Sequence, residues 1–190
     1  IDQLVDLSSR DALTGLANRR NFELALAREV DRVARSGESA LLLMVDIDHF
    51  KRVNDSYGHP AGDQVIRAVA QCLSACVRPM DTVSRYGGEE FAIILPSCQS
   101  VFGAQVAERI RERVAATPLV LEGGDTLHFT VSIGGAYAPQ WLLFTAAAWI
   151  ERADEQLYRA KAEGRNRVCL EPQADSVVSA EEKSLLFGLS

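Results

Sequence analysis

The stretch SRYGGEEFAIIL, residues 84–95, places two glycines and two adjacent glutamates directly ahead of an apolar run. With TVSRY before it and FAIIL after it, Gly87-Gly88 reads as the turn of a β-hairpin, where glycine permits positive φ and leaves the main chain uncovered. The second strand therefore opens on Glu89 and Glu90. A second acidic strand end occurs in LLLMVDIDHFKRVND, residues 41–55. Its continuous apolar run has strand length and reads as a central strand buried on both faces, ending in Asp46 and Asp48. What two such ends could hold between them sets the question for the rest of the chain.

Outward from these strands, the spacing alternates between helical and extended patterns. Asn18 is an N-cap candidate before Phe22, Leu26, Val30 and Val33, which recur at helical spacing until Gly37. GHPAGDQVIRAVAQCLSACV and SVFGAQVAERIRERVAA are helical as well. In TLHFTVSIGGA, Leu127, Phe129, Val131 and Ile133 alternate with other residues, which predicts a half-buried strand. FTAAAWIERADEQLYRAKAEGRN reads as a long helix closed by Gly164, and RVCL as a last short strand. The expected order is α-β-α-β-β-α-β-α-β, and the hairpin in its middle makes the sheet mixed or antiparallel.

The 190 residues suit one domain with a substantial core. A net charge of -6 argues against a protein that coats nucleic acid, which needs a basic face. No apolar run reaches transmembrane length, so no membrane contact by this domain is expected. The four cysteines, at 72, 76, 98 and 169, form no CxxC pair and read as buried thiols of a reducing, cytoplasmic compartment. Ile1, Leu4, Val5 and Leu7 resemble the end of an amphipathic helix, so residues 1–10 are read as the end of an upstream stalk, 11–170 as the domain and 171–190 as a tail.

Asp46 and Asp48, at i and i+2, share a strand face, whereas alternation lets only one of Glu89 and Glu90 look toward Asp46. An isolated Asp pair ordinarily caps a turn. Converging carboxylates repel unless a cation lies between them, and an oxygen-only set without His or Cys suits Mg²⁺ or Mn²⁺. Such ions bring phosphate, for which Lys51, Arg85, Lys161 and Arg165 supply positive charge. Taken alone, Asn54 reads as an Asx turn, Asp63 as an N-cap before QVIRAVA, and His59 as a loop histidine.

The set RDALTGLANRR, DIDHFKRVNDSYGHPAGD, RYGGEEF, VSIGGA and ADEQLYRAKAEGRN, in this order from Asp11 to Val168, resembles the GGDEF family of diguanylate cyclases. These enzymes condense two GTP molecules into cyclic di-GMP. The resemblance implies an α+β fold with a central, mostly antiparallel sheet flanked by helices, like the nucleotidyl cyclase and polymerase palm. It implies two Mg²⁺ or Mn²⁺ ions per active site, held by Asp46, the carbonyl of Ile47 and Glu89. Glu89 also assists deprotonation of the attacking 3'-hydroxyl. Guanine falls to Asn54 and Asp63, with His59, Phe50, Gly87 and Gly88 also at substrate-contact positions. Lys51, Lys161 and Arg165 become triphosphate contacts, and Arg85 a candidate to stabilise charge on the transferring phosphate.

Because each domain would carry one GTP half-site, the resemblance implies a homodimer governed by an upstream sensory or regulatory domain. RPMD, residues 78–81, stands where the family has its RxxD inhibitory product site, with Arg78 against a guanine of cyclic di-GMP, Asp81 accepting from its edge, and Arg109 a further candidate. The alternative is a catalytically silent member that binds GTP or cyclic di-GMP as a receptor.

Overall fold

The computed structural model describes residues 9–138 and 144–172. Residues 1–8 of the stalk expected over 1–10, and 173–190 of the tail expected over 171–190, lie outside the described residues. Helix α1 (Arg19–Ser36) starts where Asn18 accepts a hydrogen bond from the Asn21 amide, and it ends at Gly37, whose φ of 68° reverses the chain. Strand β1 (Leu41–Ile47) follows, buried along its whole length. Two helices come next, α2 (Phe50–Tyr57) and α3 (His59–Ala75), separated by Gly58 at φ 87°. The hairpin is β2 (Thr82–Arg85) and β3 (Glu90–Leu95), and α4 (Ser100–Ala116) leads from it to a small pair, β4 (Leu119–Val120) and β5 (Thr126–Leu127). Strand β6 (Val131–Tyr137), helix α5 (Ala146–Ala162) and strand β7 (Val168–Leu170) complete the described residues.

The five-stranded sheet runs β2-β3-β1-β6-β7, antiparallel except for the last pair. This is the expected α+β architecture, with β1 at its centre. Odd-numbered residues of β1, β3 and β6, such as Leu43, Ile93 and Ile133, pack against α3 and α4. Even-numbered residues, such as Met44, Ile94 and Ala136, pack against α1 and α5. Two apolar layers therefore clamp one sheet, and β1 must be apolar on both faces.

The structure corrects three readings. Phe50–Tyr57 is a separate helix, ahead of the one expected from Gly58 onward. The strand expected over residues 126–136 breaks after Leu127 and resumes at Val131. Strand β6 is fully buried, because α5 lies directly on its second face. A Cβ at Gly134 would stand 2.0 Å from the Leu157 amide nitrogen, so only glycine lets helix and strand approach so closely. Trp149 of α5 is fully buried and donates its indole N–H to the Ala136 carbonyl at 2.7 Å.

Candidate active site

Asp46 is the last acidic residue of β1, and the register pairs it with Glu90, the first residue of β3. Directly opposed residues on neighbouring strands share a face, so Glu90 lies on the Asp46 side of the sheet. Glu89 precedes the ladder, and its carbonyl accepts from the Ile47 amide at 3.2 Å. Alternation along a strand therefore does not choose between the glutamates, because one of them stands in the turn. Both feel Asp46. Burial raises the pKa of Glu89, and the Asp46 charge raises it further. The same two causes, in the same order, raise Glu90. Asp46 itself is raised by burial, against the partial relief of a hydrogen bond from Lys161.

Lys161, expected at a triphosphate, reaches Asp46 from the end of α5 and bonds its Oδ2. An ammonium group thus sits where the carboxylates call for a cation. Asp48 has a different fate from Asp46. It is buried and accepts from Thr130 Oγ1 at 2.7 Å, Ser132 Oγ at 2.6 Å and the Asn166 amide at 3.0 Å. Its carboxylate fastens the end of β1 to β6 and to the chain after α5.

The glycine turn also differs from the expected form. Neither Gly87 nor Gly88 adopts positive φ. Their contribution is clearance: a Cβ on Gly88 would meet nothing within 4 Å, and one on Gly87 would approach Glu90 Oε2 at 3.2 Å. Main chain is left uncovered beside the acids, as the sequence suggested. Arg85, expected at the transferring phosphate, is committed to this turn. Its Nε donates to the Gly87 and Gly88 carbonyls, each at 3.2 Å, and Nη2 reaches Gly88 O at 2.9 Å. Its Nη1 donates to Asp11 Oδ1 at 3.2 Å. In this arrangement Arg85 positions the turn and ties it to the start of the domain.

Asn54 lies inside α2 and Asp63 inside α3, so neither is the turn or cap residue that a bland reading would make it. The two helices come close at Gly62, where a Cβ would fall 2.0 Å from Asn54 Oδ1 and 3.1 Å from Phe50 Cζ. Gly62 lets the Asn54 side chain approach α3 one residue before Asp63, with buried Phe50 also close to it. Asp63, His59 and Lys51 are exposed.

At the opposite end of the β2–β3 hairpin, Arg78 and Asp81 bind each other. The Arg78 amide donates to Asp81 Oδ2 at 2.7 Å, and its Nη2 donates to Asp81 Oδ1 at 3.0 Å and to the Pro96 carbonyl at 2.7 Å. The guanidinium lies over the Phe102 ring at 5.2 Å, and Arg109 donates to the Cys76 carbonyl at 2.8 Å beside it. Asp81, expected to face a ligand edge, has a side chain only 1% exposed and serves Arg78. All four cysteines are buried and free. No helix among the described residues is long and apolar enough to cross a membrane.

Residues 8–167 match the family model described as diguanylate cyclase, GGDEF domain. The chain belongs to the GGDEF family. It is 42% identical over 170 residues to the response regulator PleD of Caulobacter vibrioides, covering 88% of this chain and 37% of that protein. The GGDEF domain of DgcB from Caulobacter crescentus, solved in complex with c-di-GMP, superposes with a TM-score of 0.82 at 39% identity, over 86% of this chain and 93% of that one. The active GGEEF domain of a diguanylate cyclase from Vibrio cholerae gives 0.76 at 31% identity, over 84% and 99%. The chain spans less than half the length of the first curated relatives it matches. Other relatives carry the name diguanylate cyclase, among them diguanylate cyclase A of Treponema denticola at 39% identity, over 88% of this chain and 46% of that protein.

Proposed function

We propose that this GGDEF domain condenses two GTP molecules into cyclic di-GMP and two pyrophosphates. The observation that carries the reading is the acidic end of β1, where Asp46 pairs in register with Glu90 and the Ile47 amide bonds the Glu89 carbonyl, beside an uncovered glycine turn. The donor set fits Mg²⁺ or Mn²⁺. Asp46, the Ile47 carbonyl and Glu89 offer hard oxygen donors, and Lys161 on Asp46 marks the place where positive charge is wanted. Among the described residues no group of three or more His, Cys, Asp and Glu side chains forms a cage. That suits Mg²⁺, which is commonly held by one or two carboxylates together with substrate phosphates. When bound, a pair of such ions would lower the pKa of the 3'-hydroxyl and neutralise the triphosphate.

The remaining work falls to side chains. Glu89, whose pKa is already raised, accepts the proton of the 3'-hydroxyl as that oxygen attacks the α-phosphorus and pyrophosphate departs. Asp63 accepts from N1–H and the 2-amino group of guanine, and Asn54 completes the pattern through its amide. Lys51, Lys161 and Arg165 receive the triphosphate, which requires Lys161 to turn from Asp46 once a metal is bound. One half-site per domain makes a homodimer the active unit, under an upstream sensory or regulatory segment. Cyclic di-GMP bound at Arg78, Asp81 and Arg109 would cross-link two domains in an orientation where their GTP half-sites cannot meet.

The test is pyrophosphate release and product identity from the purified chain with GTP and Mg²⁺. Specific activity should rise with protein concentration. Turnover that stays flat over a hundredfold dilution of a monomer would refute the half-site model. Binding of GTP or cyclic di-GMP without turnover would identify a receptor instead.

A further inference from the structure

The turn after α5 is held in a conformation its residues do not favour. Gly164, Arg165 and Asn166 have φ of 128°, 64° and 46°. Glycine adopts such angles freely and asparagine tolerates them, but arginine does so rarely, and consecutive left-handed residues need outside support. Arg167 Nε donates to the Arg165 carbonyl at 3.2 Å, and three further hydrogen bonds tie the turn to its surroundings. The Arg165 amide donates to the Ala160 carbonyl at 3.0 Å, which finishes the helix. The Asn166 amide donates to Asp48 Oδ2 at 3.0 Å, which anchors the turn to the end of β1. The third comes from α4, where Arg111 Nη1 donates to Asn166 Oδ1 at 3.0 Å.

Arg111 is itself braced for this contact. Its Nε donates to Glu108 Oε1 at 2.9 Å and its Nη2 donates to the same carboxylate, one helical turn back. The planar fork is thereby fixed with Nη1 turned to Asn166. Arg165 stands in the chain between Lys161, which bonds Asp46, and Asn166, whose amide bonds Asp48, so the turn that carries it lies at the acidic end of β1. The chain from Glu108 through Arg111 and Asn166 therefore ends at the turn that carries Arg165 beside the acidic site.

We propose that Arg111 is a positioning residue for the triphosphate, holding Asn166 and through it the strained turn that aims Arg165. This rests on the assignment of Lys161 and Arg165 to the triphosphate made above. Arg111 touches no substrate. Without it, the left-handed pair loses its tie to α4 and keeps its bonds to Asp48, Ala160 and Arg167, and the turn relaxes toward commoner angles. The base-reading residues stand on α2 and α3, so phosphate binding should suffer while guanine binding does not.

The experiment uses the full 190-residue chain with Mg²⁺ and compares two ligands by calorimetry. One is 3'-deoxy-GTP, which lacks the nucleophile and cannot turn over, and the other is GMP. Arg111→Ala should weaken 3'-deoxy-GTP by about tenfold or more, because small misplacements of a binding group are felt strongly, and leave GMP within about twofold. In turnover, KM for GTP should rise by the same factor with kcat nearly unchanged, and Arg111→Lys should restore part of the loss. Asn166→Ala deletes the acceptor and disfavours the left-handed angle, so it should weaken 3'-deoxy-GTP at least as much as Arg111→Ala, and adding Arg111→Ala to it should cost nothing more. Should Arg111→Ala fail to fold, Asn166→Ala decides the matter by itself. An unchanged ratio of 3'-deoxy-GTP to GMP affinity in these variants overturns the proposal. Wild-type protein that binds neither nucleotide overturns the cyclase reading as well, and that result appears before any substitution is made.

Discussion

The two ends of the β2–β3 hairpin treat charge in opposite ways. At the Arg78 end, the Asp81 carboxylate receives a backbone amide and a guanidinium, and the arginine also caps the Pro96 carbonyl. Charges there are matched within the protein. At the Gly87 end, Asp46, Glu89 and Glu90 each raise the others' pKa or are raised by them, and one lysine answers all three. A set of groups that the fold leaves in excess of one sign is waiting for a ligand of the other sign. A matched pair must instead be opened before it can serve anything else.

The largest test of this contrast is Glu89→Gln, which keeps size but removes charge and proton acceptor. Turnover with GTP should fall by several orders of magnitude, as for loss of a metal-ligating base. Near wild-type rates would remove Glu89 from the chemistry. Next in size is base choice: Asp63→Ser should raise the use of ATP relative to GTP, because a site that hydrogen-bonds a substrate edge discriminates strongly through it. An unchanged ratio in competition assays would leave Asp63 without a role in recognition.

At the other end of the hairpin, Arg78→Ala should weaken inhibition by added cyclic di-GMP roughly tenfold, as when a bidentate contact to guanine is lost. Superimposable inhibition curves would show that Arg78 serves only Asp81 and Pro96. Two stability measurements then compare the ends directly. Asp81→Ala strands the Arg78 amide and guanidinium and should lower stability by about 1–3 kcal/mol. Glu90→Gln removes one of the clashing carboxylates and should raise the melting temperature of the metal-free protein. If both variants lose stability alike, the distinction between matched and surplus charge is wrong.

The smallest effect is the pH dependence of the metal-free protein. Raised folded-state pKa values for Asp46, Glu89 and Glu90 mean that the folded chain holds protons which the unfolded chain has released. Stability from these groups is complete below the ordinary carboxylate pKa and declines as pH rises through the higher folded values. Saturating Mg²⁺ should flatten that decline. Melting curves from pH 4 upward, with and without the ion, measure it.

Much of this was legible in the sequence, because the signals were local. Asn18 and Gly37 bound a helix by capping rules, and an uninterrupted apolar run ending in acids marks β1. The acidic ends at Asp46 and Glu89 were legible for the same reason. Strand β6 was misjudged as half-buried because Ser132, Gly134 and Ala136 look like positions facing water. Gly134 and Ala136 are small because α5 rests on them, and Ser132 is buried with its hydroxyl on Asp48, causes that lie in other parts of the chain. The tie between Arg85 and Asp11 was illegible for a similar reason: the two are 74 residues apart, and sequence displays a charge without its counter-charge. The face of Glu90 depended on register, which alternation along one strand does not supply.

Trp149 gives this fold a built-in lamp. It sits on the helix that carries Lys161, wholly out of water, with its indole N–H bound to a β6 carbonyl. Its emission should be blue-shifted while α5 rests on the sheet and move to the red when that helix lifts. The chain has one other tryptophan, Trp141, outside the described residues, so Trp141→Phe leaves a single emitter. The colour of that variant's light then reports, without any added label, whether the helix bearing the site's lysine is seated.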